Sequence, residues 1–243
     1  MQIRTFHPRR GRLSGRHVDA LDRLWPRYGL VIPPVPLSRD AGTAETDWSW
    51  PQHELPAPLD PVTLFGRRAP LVLEIGSGMG DATAEMAAND TARDYLAVEV
   101  HTPGIANLLA LIEERGLTNL RIARGDALDL VRHGLSEESL DAIHVFFPDP
   151  WPKIRHHKRR LIQPHHVALL RSRLVAGGTL HCATDWAEYA ESMLQTMSAD
   201  PELVNAEDGF APRPAHRPVT RFERRARTAG RPIFDLIYHR VTP

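Results

Sequence analysis

The chain has 243 residues, 42% hydrophobic and 25% charged, with 30 Lys+Arg balanced by 30 Asp+Glu, which is enough for one large domain or one domain with an extension. No apolar run approaches the roughly 18 residues of a membrane span, and no apolar segment follows the basic leader MQIRTFHPRRGRLSGR, so neither membrane insertion nor secretion is expected and the cytoplasm is the expected compartment. The lone Cys182 excludes an intrachain disulfide and a cysteine-based zinc cluster.

Residues 1–52 read as an Arg-rich N-terminal extension with one helix at about 17–25 and no convincing core; prolines 33, 34, 36, 51, 56, 58 and 61 break any long element, and Trp48-Ser49-Trp50 lies among them. Residues 53–243 read as the main domain. Leu71–Ile75 is a buried strand running into Gly76-Ser77-Gly78-Met79-Gly80 and a helix over about 81–88. Tyr95–Val100 is a second strand, followed by a helix over about 104–115 that ends near Gly116. Leu120–Arg124 and Asp141–Phe147 are the third and fourth strands. A helix over about 164–175 stops at Gly177-Gly178; Thr179–Thr184 is the fifth strand, a helix spans 186–198, and Ile233–Val241 is the last strand. This alternation predicts an α/β fold, a doubly wound, mostly parallel sheet with helices on both faces. Ligands of such sheets bind at the carboxyl ends of the strands.

The net charge is zero, but its distribution is uneven. Residues 1–27, 148–160 and 213–231 together hold 19 Lys and Arg against four Asp and Glu. Brought together, they would attract a polyanion to an otherwise acidic body. Lys153 and Lys158 are the only lysines in the chain and fall in one loop, where a flexible point charge differs from a planar guanidinium.

The glycine turn after Ile75 permits close approach of a ligand to the backbone, and the following helix aims its N–H groups there. Glu99 closes the second strand, where a ribose-binding carboxylate is expected. A dinucleotide fingerprint would place glycine at the sixth position counted from Gly76, but Asp81 stands there. Glu74, two residues before the first glycine, would repel a pyrophosphate and suits the cationic amino-acid end of S-adenosylmethionine. Asp126, in Gly125-Asp126-Ala127, suits an adenine amino group, or equally a helix N-cap.

The fourth strand runs into Val145-Phe-Phe-Pro-Asp-Pro-Trp-Pro-Lys153 and then Ile-Arg-His-His-Lys-Arg-Arg160. Three prolines in five residues fix Asp149 and Trp151 at the strand end, as a preorganised reaction centre needs. Aromatic faces with adjoining cations suit a nucleic-acid substrate. The segments LVLEIGSGMG, YLAVEV, GDA, FFPDPWPKIRHHKRR, ATDW and TRFE, in this order, resemble the bacterial tRNA (guanine-N7-)-methyltransferase family from roughly residue 65 to the end, and IRTFHPRRGR and LWPRYGL resemble its basic leader.

The resemblance implies a Rossmann-like methyltransferase domain and methylation of guanine N7 at tRNA position 46, in the variable loop, with S-adenosylmethionine as cofactor. By matching position it implies that Glu74, Gly76, Gly78, Glu99, Asp126 and Asp149 bind the cofactor, with Asp149 also catalytic. Lys153, Asp185 and Thr220, Arg221, Phe222 and Glu223 would bind the guanosine, and Arg155, His156, His157, Lys158, Arg159 and Arg160 the RNA. N7 carries an exposed lone pair, so no general base is required. A carboxylate accepting from the guanine edge would instead grow in strength as the ring gains positive charge; Asp149, Asp185 and Glu223 are the candidates. Asp185 could otherwise cap the next helix, and Glu223 could pair with Arg224 or Arg227.

Two rivals remain at this stage. One is an exocyclic-amino nucleobase methyltransferase, suggested by Asp149-Pro150-Trp151; the other is a noncatalytic RNA-binding module, which leaves Glu74, Glu99 and Asp126 without a purpose. No metal site is expected, since His156, His157, His165 and His166 lie in basic surroundings. Monomer and homodimer are both open. The Arg-rich, core-poor leader over residues 1–27 is expected to order only against tRNA or cofactor.

Overall fold

The computed structural model describes residues 5–6, 12–32 and 58–242. The chain forms two compact units, one built on residues 12–135 and one on residues 136–242 with residues 5–6. In the first unit α1 (Gly15–Tyr28) and β1 (Gly29–Val31) precede α2 (Pro61–Phe65), β2 (Leu71–Ile75), α3 (Asp81–Asn89), β3 (Asp94–Glu99), α4 (Thr102–Arg115), β4 (Leu120–Arg124) and α5 (Ala127–Asp129). The strands pair in the order β1-β4-β3-β2, all parallel. Leu71, Val72 and Leu73 are at most 2% exposed, as expected of a parallel strand covered on both faces. α4 buries Ile105, Leu108, Leu109 and Ile112, a helical stripe. It ends where Gly116, at φ +62°, turns its N–H back to the Glu113 and Ile112 carbonyls.

The leader is more structured than its composition suggests. α1 runs past Pro26 to Tyr28, is capped by the Ser14 hydroxyl, and buries Leu21 and Trp25 completely. It packs against α4 and is pinned there by Arg23, which pairs with Glu113 at 2.6 Å. Residues 15–27 thus bury a helical face that their composition did not suggest. The boundary expected at residue 52 and the Trp48-Ser49-Trp50 segment lie outside the described residues.

The second unit contains β5 (Leu140–Phe146), a 3₁₀ turn (Ile154–Arg159), α6 (Pro164–Arg173), β6 (Leu174–Thr184), α7 (Ala187–Ser198), β7 (Leu203–Asn205), α8 (Arg221–Thr228) and β8 (Phe234–Arg240). β5 is parallel to β6, whereas β8 runs antiparallel to both β6 and β7. Gly177-Gly178 does not stop a helix. α6 ends at Arg173, and the pair sits inside β6, with Gly177 at φ +76° where the register with β5 shifts. Alternation divides the strands. Ile143, Val145, Leu180, Cys182, Leu236 and Tyr238 form an apolar set on which α7 packs: the Cys182 sulfur meets Met197, and the Tyr238 hydroxyl meets Ser198 at 2.6 Å. His144, Phe146, His181 and Asp235 alternate with them and are buried as well.

Candidate active site

In the first unit, the glycine turn sits at the carboxyl end of β2. Gly76 and Gly78 have φ of +82° and +60°, and a Cβ built on either would enter open space. Glu74 is 3% exposed, and its Oε2 has no hydrogen-bond partner. Burial pushes its carboxyl up to about 7, outweighing the lowering influence of the neighbouring Thr83 hydroxyl, and Glu99 adds repulsion. A buried carboxylate with an unsatisfied oxygen, beside backbone open to a ligand, fits a cationic partner.

Glu99 is engaged more heavily than its position suggested. Its carboxylate accepts from the Gly78 N–H at 2.7 Å, the Val100 N–H at 2.7 Å and the His101 N–H at 2.8 Å. Three of about four acceptor positions are thereby filled, and the glycine turn is tied to the start of α4. Gly104 completes the tie: a Cβ there would lie 2.0 Å from the Gly78 carbonyl oxygen. Asp126 caps α5 by accepting from the Leu128 N–H at 2.9 Å. The sequence reading missed Gly104; the one signal available was a glycine in the first turn of an otherwise regular helix.

In the second unit, the loop after β5 is held by its own backbone. Phe147 and Trp151 stand at φ +53° and +46°, and neither is glycine. Such conformations cost about 1–3 kcal/mol each and persist only where the surroundings impose them. They bracket Pro148-Asp149-Pro150, with Asp149 half-buried between them. The Phe147 N–H donates to Ala183 at 2.7 Å, and the Trp151 indole N–H donates to the Thr5 carbonyl at 3.2 Å. Trp151 is 4% exposed, with the Arg159 guanidinium 4.3 Å above its ring. It is therefore a packed anchor and not an open face for stacking a base.

The basic run divides into two sets. Lys153, Arg155 and Lys158 are exposed, and His156, His157 and Arg159 half-buried. Arg160 points inward and is 3% exposed. Its guanidinium donates to the Pro150 carbonyl at 2.9 Å and grips both oxygens of Glu188, over the Tyr189 ring. Three of its five N–H groups are engaged in this way, so it anchors the loop from within. The hydrogen bond from Arg160 holds the Glu188 carboxyl below its ordinary range.

The segment before α8 lies on the polar side of β5, β6 and β8, fastened by Arg217. This side chain is wholly buried, bonds Asp235 through two nitrogens, and reaches Glu223 at 2.6 Å. Burial alone would raise the Asp235 carboxyl, but the bonds from His181 and Arg217 outweigh it and hold the group low. Glu223 is wholly buried and also pairs with Arg227, so it ties the start of α8 to Arg217. Thr220 caps α8. Phe222 is 41% exposed and stacks with Phe147 at 6.3 Å. Asp185 does not cap α7, whose first turn has no side-chain cap; it accepts from Arg231 at 2.9 Å. The arginines of the third basic stretch thus serve in part as internal struts.

The comparisons with known proteins agree with one another. A family model described as "Putative methyltransferase" matches residues 68–236, well over half of the chain. The tRNA (guanine-N(7)-)-methyltransferase of Streptomyces avermitilis is 49% identical over 244 residues, covering 100% of this chain and 77% of the relative. That of Burkholderia vietnamiensis is 49% identical over 239 residues, covering 98% and 85%.

The chain belongs to the tRNA (guanine-N7-)-methyltransferase family.

Among solved structures, 16S rRNA methyltransferase KamB superposes with a TM-score of 0.54 at 15% identity, covering 74% of this chain and 92% of that one. The aminoglycoside resistance methyltransferase NpmB1 gives 0.51 at 13% identity, covering 73% and 90%. These show the fold: a mostly parallel, Rossmann-like methyltransferase sheet. Of the residues singled out from the sequence, Glu74 and Glu99 lie at the ends of β2 and β3, Asp149 and Lys153 in the loop after β5, and Arg221, Phe222 and Glu223 in the first turn of α8. The sequence reading missed the inward roles of Arg160 and Glu223, and it missed Arg217 and Asp235 altogether.

Proposed function

We propose that the protein transfers the methyl group of S-adenosylmethionine to N7 of guanine in tRNA, at position 46 of the variable loop, in the cytoplasm. Glu74 carries the choice of cofactor. A buried carboxylate at the head of a glycine turn favours a cationic amino-acid end and opposes a pyrophosphate. Membership of the family carries the choice of tRNA and of N7.

When bound, S-adenosylmethionine supplies a methyl group on a positively charged sulfur. Gly76 and Gly78 admit it to the backbone, Glu74 meets its amino-acid end, and Asp126 meets the adenine amino group. Glu99 keeps the turn in shape and has about one acceptor position left for a ribose hydroxyl.

The chemistry asks little proton transfer of the protein. N7 attacks with its own lone pair. Asp149 accepts from the N1–H and amino group of the guanine, and this bond strengthens as positive charge develops on the ring. The two positive-φ residues around it keep Asp149 in place beforehand, which is what preorganisation requires. Lys153 and Asp185 bind the guanosine; Thr220, Arg221 and Phe222 meet it on a segment that Glu223 anchors. Arg155, His156, His157, Lys158 and Arg159 face the phosphates, with Arg160 holding their loop.

The test is methyl transfer from labelled S-adenosylmethionine to an unmodified tRNA transcript, followed by nucleoside analysis. Label in 7-methylguanosine confined to the variable loop is expected. Label in an N6- or N2-methylated base, or none despite tight tRNA binding, would overturn the proposal.

A further inference from the structure

Three histidines converge on the polar side of the second unit, from parts of the sequence that carry no metal-binding motif. His144 lies on β5 and His181 directly across from it on β6, in register. His216 comes from the segment that Arg217 fastens. One nitrogen of each imidazole lies within 4.8 Å of one nitrogen of both others. The ring centroids are 5.9, 6.0 and 5.6 Å apart, nearly an equilateral triangle. Three imidazoles on one tetrahedral ion would have centroids about 5 Å apart and ligating nitrogens about 3.3 Å apart. His144 and His181 are buried, whereas His216 is exposed, so closing the three nitrogens onto one ion falls to the side chain at the surface.

A second observation concerns His181. Its Nε2 is bonded to the Asp235 carboxylate at 2.7 Å, and its Nδ1 is buried without a partner. A carboxylate on one ring nitrogen, with the other nitrogen left as the donor, is the usual support of a metal-binding histidine. Asp235 is itself fixed by two bonds from Arg217, and the Arg217 charge is compensated by Asp235 and Glu223 together.

We propose that His144, His181 and His216 form a binding site for one divalent transition-metal ion, with zinc the best match to three neutral imidazoles. The fourth coordination position lies on the His216 side, open to water. The bound ion fastens residue 216 to the sheet, and with it the stretch that leads into Thr220, Arg221 and Phe222. The site is separate from the methyl-transfer chemistry proposed above and stands whether or not that reading holds.

Tag-free, chelator-treated full-length protein would be titrated with zinc chloride by calorimetry, and with cobalt chloride by visible absorption. One equivalent is expected, with the intense cobalt bands of a tetrahedral site. Zinc at about 100-fold over its Kd should raise the thermal midpoint by about 5–10 °C. His216→Ala, at an exposed position, should keep the fold and weaken zinc by at least about 100-fold, since even loss of an outer-shell partner commonly costs about 10–100-fold. His165→Ala, an exposed histidine outside the cluster, should bind as the parent does. Less than half an equivalent bound to the parent, equal affinity in His216→Ala, or a loss in His165→Ala would overturn the site.

Discussion

Arg217 and Asp235 form a closed two-point pair, with Nε on Oδ1 and Nη2 on Oδ2, each at 2.7 Å. Both side chains are buried, at 0% and 2% exposure, so neither charge has water to fall back on. The third guanidinium nitrogen reaches Glu223, and one side chain therefore joins β8, the segment before α8 and the start of α8. Removing one member leaves the others charged and buried. Asp235→Asn is expected to cost about 3–5 kcal/mol in chemical denaturation. A loss under about 1 kcal/mol would mean that the cluster is not what holds the segment down.

Glu74 makes a pH prediction. Its carboxyl is raised to about 7 by burial, well above the value of about 4.3 in an unfolded chain. Between these values the folded state binds more protons than the unfolded one, so stability falls as pH rises from about 4.3 to 7 and levels off above. A cationic ligand requires the ionised form, so cofactor affinity moves the other way. Calorimetry should find S-adenosylmethionine bound several-fold to about tenfold more weakly at pH 6 than at pH 8, and Glu74→Gln should flatten the dependence. An unchanged profile in the variant would place the titration elsewhere.

The legible parts of this fold are those that one local signal determines. β2 and β4 have the bounds expected; β2 is a largely apolar run, as a parallel strand covered on both faces requires, and β4 keeps Leu120, Ile122 and Ala123 buried alongside two half-buried arginines. Glycine and proline were less dependable. Gly177-Gly178 reads as a helix stop but serves as a strand irregularity, since both uses exploit the same freedom of φ. The helix expected over about 17–25 runs on through Pro26 to Tyr28, and the Gly29 N–H still reaches the Trp25 carbonyl. The site shows a similar division. Residue types and loop positions were legible, whereas the direction of a charge was not. Arg160 and Arg159 are adjacent in sequence, but only Arg160 finds Glu188, 28 residues on, and turns inward. Pairings of that length leave no periodic trace.

Gly104 sets propensity against packing. It lies in the first turns of α4, where alanine is intrinsically better by about 1 kcal/mol. The added Cβ would meet the Gly78 carbonyl oxygen at 2.0 Å, a contact that only a backbone shift relieves. The steric effect dominates, and the part that moves is the glycine turn held by Glu99. Gly104→Ala should weaken S-adenosylmethionine by about tenfold or more in calorimetry, with a smaller effect on the thermal midpoint. A variant that binds the cofactor normally would show that α4 and the turn can separate without consequence.

Asp149 is the residue on which turnover and binding should part. In the proposed mechanism it would accept from the guanine only as one bond among many, so tRNA affinity would rest mainly on the cations around it. Its bond gains strength as the ring becomes positive, and that gain falls on the transition state. Asp149→Ala should lower single-turnover methylation by about 10²–10³-fold, with tRNA affinity by filter binding changed by less than about threefold. Asp149→Asn separates charge from shape, because an amide keeps one acceptor but loses the charge. If the electrostatic account is right, the amide recovers only part of the loss. Full activity in the amide would reduce Asp149 to a hydrogen-bonding positioner, and near-normal turnover in Asp149→Ala would remove it from the mechanism.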